Sequence, residues 1–145
     1  MDEEKRPSLK DIKLTMTAIV QIDSTQVIPG VSAKYLSQSL TGKTFRTKIF
    51  LPRFHGINYV GLIIGPKGIY QKKLEDKTGC KILIRGKGSH KDGHPMSVND
   101  NDEQHVLLIG DSEERLIEAR KVVQHVLTAD ETTRNEIRTE QLKDA

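Results

Sequence analysis

Tryptophan is absent from this 145-residue chain, and Phe and Tyr number only three each. A recognition surface built on stacked aromatic rings is therefore not expected. Cys80 is the only cysteine, which excludes an internal disulfide and points to a reducing compartment. No stretch approaches the roughly 18 apolar residues of a membrane span. The start, MDEEKRPSLK, is acidic and polar and does not read as a secretory signal. Hydrophobic residues make up 35% of the chain and charged residues 30%. A modest core with long polar margins fits that balance better than one core spanning the whole length.

The charge that is present is unevenly placed. The formal net charge is +3, yet Lys43 to Gly93 holds 12 lysines and arginines against three acids, Glu75, Asp76 and Asp92. The remainder holds 11 against 17. A basic centre with acidic margins suits a polyanionic partner for the middle segment, or else a solvated basic face.

Periodicity divides the chain into short elements. In KLTMTAIVQI (13–22), apolar residues alternate at Leu14, Met16, Ala18, Val20 and Ile22, which suits a strand; SLKDI could equally open a helix capped by Ser8. Pro29-Gly30 signals a turn, and AKYLSQSL after Ser32 a short helix. FRTKIFLP (45–52) reads as a strand ended by Pro52, and GINYVGLIIG (56–65) as a helix ending in glycine. GIYQKKLEDKTGC restarts a helix with Ile69 and Leu74 inward and Lys72, Lys73 and Lys77 outward. CKILIRG (80–86) and QHVLLIG (104–110) read as strands, separated by a polar loop over 87–103. Asp111 or Ser112 then caps a long helix, EERLIEARKVVQHVL, followed by a charged helix-like tail, DETTRNEIRTEQLKDA. Three strands can form one small sheet with three helices on one face, an α+β arrangement.

The break at Gly65-Pro66-Lys67-Gly68 carries the most information. Glycine lacks Cβ, so the chain can turn tightly and another backbone can come close. The helix that follows begins with unpaired N–H groups and the positive end of its dipole. With a mobile lysine added, this makes a clamp for a phosphate backbone. On these four residues alone, a plain helix–turn–helix corner is the better fit.

The context adds a resemblance. The order of elements, together with IGPKG, QKKLEDKTG and KILIRGKGS, resembles the KH domain of eukaryotic type I. Within that group it is most similar to the branchpoint-binding proteins of pre-mRNA splicing and the related STAR proteins. The resemblance covers residues 45–128. It implies a type I KH fold, a three-stranded antiparallel sheet packed on three helices. It is weaker in NEIRTEQLKD (135–144), which is similar to the QUA2 helix that packs beside the KH fold in these families. The implied organisation is an N-terminal extension over 1–44, a KH domain over 45–128 and a QUA2-like helix over 129–145. The first 40 residues match neither the STAR dimerisation region nor the tryptophan-bearing partner-binding motif of the branchpoint family.

The resemblance also implies an RNA path. Asn58 would hydrogen-bond a base, and Gly61, Leu62 and Ile64 would floor the groove, unless Leu62 and Ile64 are core. Gly65, Pro66, Lys67 and Gly68 would hold the sugar-phosphate, and the backbone of Ile84 would recognise an adenine. Arg85, Lys87 and Lys91 would reach phosphates or base edges, or stay solvated. Ile137, Gln141 and Leu142 would lengthen the groove. Lys67 stands where the subgroup more often has arginine, which keeps the charge and loses the planar fork. Ile69 and Tyr70 replace small polar residues at the loop's exit.

No catalytic constellation is evident. Gly42-Lys43-Thr44 looks like the end of a phosphate-binding loop, but position 37 is Ser37 and a strand follows. His90 and His94 lack partner cysteines; His55, His105 and His125 are scattered. Cys80 has no His–acid pair beside it in the sequence. The expectation is a nuclear, non-enzymatic protein without metal or cofactor that binds single-stranded RNA. Its RNA would be pre-mRNA at a branch point, with splicing-factor proteins as partners and no membrane. A STAR-type regulator of mRNA stability or translation and a KH-like protein scaffold are the alternatives. The shortness of the 87–103 loop favours splicing.

Overall fold

In the computed structural model, residues 6–22, 31, 42–54, 56–86 and 103–144 are described. The turn at Pro29-Gly30, the segment AKYLSQSL and the loop at 87–102 lie outside them.

Ser8 starts the chain's first helix, α1 (Leu9–Leu14), through a capping box. Its hydroxyl accepts from the Asp11 N–H at 3.1 Å, and the Asp11 carboxylate accepts from the Ser8 N–H at 3.0 Å. Two otherwise unpaired donors are satisfied at once, which favours a short helix where side-chain alternation alone favoured a strand. Burial of Ile12, 1% exposed, secures the choice. Of the strand expected over 13–22, only an isolated bridge from Met16 to Ile49 and the short β1 (Val20–Ile22) form.

The expected three strands follow as β2 (Thr44–Phe50), β3 (Lys81–Arg85) and β4 (His105–Gly110). All pairings are antiparallel in the order β1-β2-β4-β3, so β1 adds a fourth strand on the free edge of β2. The expected helices are α2 (Tyr59–Ile64), α3 (Ile69–Thr78) and α4 (Glu113–Leu127), with α5 (Glu131–Asp144) appended. Ser112, rather than Asp111, caps α4 by accepting from the Arg115 N–H at 3.2 Å.

The core lies between the helices and one face of the sheet. Ile49, Ile63, Ile82, Leu108, Leu116, Val123 and Leu127 are fully buried there. Each such side chain contributes about 1.5–3 kcal/mol by leaving water. The central strand β4 is buried along its whole length. Leu107 and Ile109, on the far face, cluster with Leu83 and Val31.

The N-terminal residues are built onto the same body. Arg120 of α4 donates to the Thr17 carbonyl and, at 2.7 Å, to the Thr47 hydroxyl. Thr47 Oγ1 itself donates to the Thr17 carbonyl at 2.8 Å. These bonds tie the α1–β1 connection to β2 and α4. Thr44 opens β2 rather than a helix, so the Gly42-Lys43-Thr44 segment lacks the helix N-terminus that a nucleotide-binding loop requires.

Candidate nucleic-acid interface

The turn Gly65-Pro66-Lys67-Gly68 stands between α2 and α3. Its Gly68 N–H donates to the Gly65 carbonyl at 3.2 Å. Lys67 (φ 59°, ψ 14°) and Gly68 (φ 72°, ψ 11°) both adopt left-handed backbone. Lys67 is the only non-glycine residue with positive φ among the described residues. This turn projects Pro66 and Lys67 into solvent. Gly68 precedes α3 with no side chain capping it; the Ile69 N–H donates to the Pro66 carbonyl, and the positive end of the helix dipole lies beside the Lys67 ammonium.

Gly65 is required by a convergence of three elements. Its φ is 71°, and a Cβ there would sit 2.8 Å from Tyr70 Cβ and 3.2 Å from Gln141 Cδ. Tyr70, expected only as an unusual loop exit, is buried beneath the turn. Burial raises its phenol pKa, and the Glu140 carboxylate adds to the rise.

Asn58 caps α2: its Oδ1 accepts from the Gly61 N–H at 3.0 Å. The missing Cβ of Gly61 makes room for this, since an added one would meet Asn58 Nδ2 at 2.8 Å. Asn58 is exposed, so its amide N–H₂ points to a surface from a fixed rotamer. Of the expected groove floor, Ile64 and Gly61 are half-buried, whereas Leu62 is 1% exposed and belongs to the core. In a six-residue helix the stripe that carries Tyr59, Leu62 and Ile63 must face inward.

The appended helix α5 is capped by Asp130, which accepts from the Thr133 N–H at 2.8 Å. That bond holds its carboxyl below the ordinary range. Ile137 and Gln141, one turn apart, are 6% and 7% exposed. Both were expected to line an RNA groove, and their side chains instead form the docking face. The Gln141 amide donates to the Leu62 carbonyl at 2.9 Å, satisfying a carbonyl at the end of α2 that has no partner within its own helix. A helix with so few apolar positions must spend them on docking. Leu142, in contrast, is 71% exposed.

Lys73 ties α3 to α5 by donating to Glu140 at 2.6 Å and Asp144 at 2.8 Å. These two hydrogen bonds push its pKa well above the ordinary lysine range. Of the lysines read as outward, Lys73 is thus committed to the protein. Lys67 and Lys72 are exposed and have no carboxylate partner among the described residues.

The sheet presents its edge to this surface. Among the described residues, strand β3 pairs on one side only, with β4. On its outer side the Ile82 N–H donates to Glu75 Oε2 at 2.9 Å, and the Ile82 carbonyl accepts from Gln71 Nε2 at 2.6 Å. Backbone groups alternate along a strand, so the next outward pair belongs to Ile84. Its side chain is in the core, and its carbonyl accepts from Arg85 Nη1 at 3.0 Å. Its N–H has no partner among the described residues. A groove of about 690 Å³ is lined by Gly68, Gln71, Lys72, Glu75, Asp76, Gly79, Cys80, Lys81 and Leu83. It joins the turn to the strand edge. Lys87 and Lys91 lie outside the described residues, as do His55, His90 and His94. Sequence reasoning missed Gln71 and Glu75. Their four-residue spacing on one face of α3 was visible, but the strand edge they meet was not.

The family described as KHDC4/BBP-like, KH-domain type I, matches residues 53–128. The branchpoint-bridging protein of Candida glabrata is 34% identical over 131 residues, 83% of this chain and 28% of that protein. The protein held out wings of Drosophila melanogaster is 38% identical over 114 residues, 68% of this chain and 28% of that protein. The branchpoint-bridging protein of Schizosaccharomyces pombe is 41% identical over 87 residues, 55% of this chain and 15% of that protein. The chain therefore spans less than a third of the length of these relatives. With its KH core and the match over residues 53–128, the chain belongs to the KHDC4/BBP-like family of type I KH domains.

Proposed function

We propose that this chain binds single-stranded RNA and reads a branch-point sequence in pre-mRNA, without catalysing a reaction. The observation that carries the reading is the pairing of two features that α3 connects, since it starts at one and bonds the strand of the other through Gln71 and Glu75. One is the Gly65–Gly68 turn with its uncapped helix N-terminus. The other is the outward N–H and carbonyl of Ile84 on the open edge of β3. The first suits a sugar-phosphate chain. The second matches adenine, which places an amino donor beside a ring-nitrogen acceptor. The Ile84 carbonyl keeps a second lone pair for the amino group despite its bond from Arg85.

In this reading residues 45–128 are the KH domain and 129–145 a QUA2-like extension, with 1–44 an N-terminal extension. Asn58 presents its amide to a base. Gly61 and Ile64 floor the path, Lys67 and Lys72 meet phosphates, and the exposed Leu142 extends the apolar floor. Lys87 and Lys91 join from the following loop. The protein works in the nucleus beside other splicing factors. The similarity to branchpoint-bridging proteins supports the splicing assignment. The similarity to held out wings supports a second reading, a STAR-type regulator of other mRNA steps.

Fluorescence anisotropy with labelled UACUAAC RNA separates them. The expected result is tight binding that weakens ~10-fold or more, ~1.4 kcal/mol, when the branch adenine alone is replaced. The matching duplex should bind far more weakly. Equal binding to all single strands would remove the splicing assignment. No binding at low salt would remove RNA altogether and leave a protein-binding scaffold.

A further inference from the structure

We propose that Gln71 and Glu75 set the register in which a nucleic-acid strand is read, by closing one of two equivalent positions on the edge of β3. This assignment rests on the RNA-binding reading above.

The two side chains lie one turn apart on α3 and act together on a single residue. Glu75 Oε2 accepts from the Ile82 N–H at 2.9 Å, and Gln71 Nε2 donates to the Ile82 carbonyl at 2.6 Å. An acceptor faces the donor and a donor faces the acceptor, which is the pattern that a neighbouring strand would supply. Lys81 Nζ lies 3.9 Å from the other Glu75 oxygen, Oε1. Glu75 is half-buried here.

Without these side chains, β3 would present two identical donor–acceptor pairs, at Ile82 and Ile84. They would stand about 7 Å apart, two residues along a strand. That is close to the spacing of successive bases in an extended single strand. An RNA could then seat an adenine at either position, and a strand shifted by one nucleotide would bind nearly as well. The groove beside the plug is already about 690 Å³, with Lys72, Lys81 and Asp76 on its walls, so truncation of Glu75 would leave room for another nucleotide and two cations against one carboxylate. With Ile82 occupied, Ile84 is the one reading position. Gln71 and Glu75 are thus positioning residues that need not touch RNA.

The test compares the chain with its Gln71→Ala/Glu75→Ala double variant, binding UACUAAC and the same RNA with its branch adenine replaced. The parent should discriminate ~10-fold, and the double variant only ~2-fold, because a slipped strand seats a neighbouring adenine. Affinity for UACUAAC itself should change little. Glu75→Gln in an otherwise unchanged chain keeps an acceptor for the Ile82 N–H and should keep the parent's discrimination. Thermal melts establish that each variant folds; if the double variant does not, Gln71→Ala alone, which frees only the carbonyl, should show a partial loss of discrimination. Undiminished discrimination, with both RNAs weakened alike, would reduce the pair to a tether between α3 and β3 and overturn the proposal. A parent chain that binds neither RNA, or both equally, would instead remove the reading on which the assignment rests, and the assignment with it.

Discussion

Lys67 sits in left-handed backbone, at φ 59°, where a non-glycine residue costs roughly 1–2 kcal/mol. A turn of pure geometry would carry glycine there. Lys67 carries this strain on an exposed turn, which fits the phosphate contact proposed for it. Lys67→Gly should therefore raise stability by about 0.5–1 kcal/mol in chemical denaturation. It should also weaken RNA binding and lower the salt slope by about 0.7. A loss of stability would mean that the side chain makes contacts that hold the fold. Gly65→Ala should act oppositely. Its Cβ would lie 2.8 Å from Tyr70 Cβ at a positive φ, so the variant should lose about 1–3 kcal/mol and bind RNA poorly. Cys80 makes a separate case. Burial pushes its thiol up to about 11 from an ordinary 9.0. The native state therefore holds this proton more tightly than the unfolded chain. The resulting stability is complete below about pH 9 and is lost as pH rises through about 11. Native Cys80 should react slowly with a thiol reagent at pH 8 and quickly once unfolded; rapid native reaction would show that the site is open.

At the scale of elements, α5 is joined to the domain chiefly through Gln141 and Ile137. Gln141→Ala strands the Leu62 carbonyl at the end of α2, and a buried polar group left unpaired costs about 1–3 kcal/mol. Hydrogen exchange should show amides of 135–144 losing protection first in that variant. Lys73→Met should do much less, because its ion pairs with Glu140 and Asp144 are exposed, and its effect should shrink further in salt. Equal effects would mean that charge, rather than the amide, holds the helix. The same elements explain what was legible in sequence. The strands β2, β3 and β4 and the helix α4 follow from patterns that local periodicity carries. The first 22 residues do not, because Leu14 to Ile22 alternates while the Ser8–Asp11 capping box nucleates a helix. Ile137 and Gln141 were singled out for an RNA groove, and the structure uses their side chains to dock α5. Their partner could not be read, since an apolar stripe records that a face is covered and not by what. Gln71 and Glu75 looked like ordinary polar positions among lysines, and only the sheet edge gives them a task.

For the whole molecule, the organising fact is a division of surfaces. Along one edge, the last residue of the turn, Gly68, shares a groove with Lys72, Asp76, Lys81 and Leu83, and the outward backbone of Ile84 lies one residue further along β3. The far face of the sheet is closed around Leu83, Leu107, Ile109 and Val31, and β1 covers the free edge of β2. Binding energy should come mainly from phosphate charge and selectivity from the strand edge. Raising salt should then weaken all single strands alike while the ratio between UACUAAC and its adenine variant stays nearly constant; a ratio that collapses with salt would place selectivity in the lysines. The most direct test of the account is the backbone amide NMR spectrum of the chain titrated with UACUAAC. The account predicts that the largest shifts fall on Gly65 to Gly68 and on Ile84, with Leu142 and Asn58 following. Shifts concentrated instead on Val20, Arg46 and Lys48, with the Gly65–Gly68 turn and Ile84 unmoved, would contradict it.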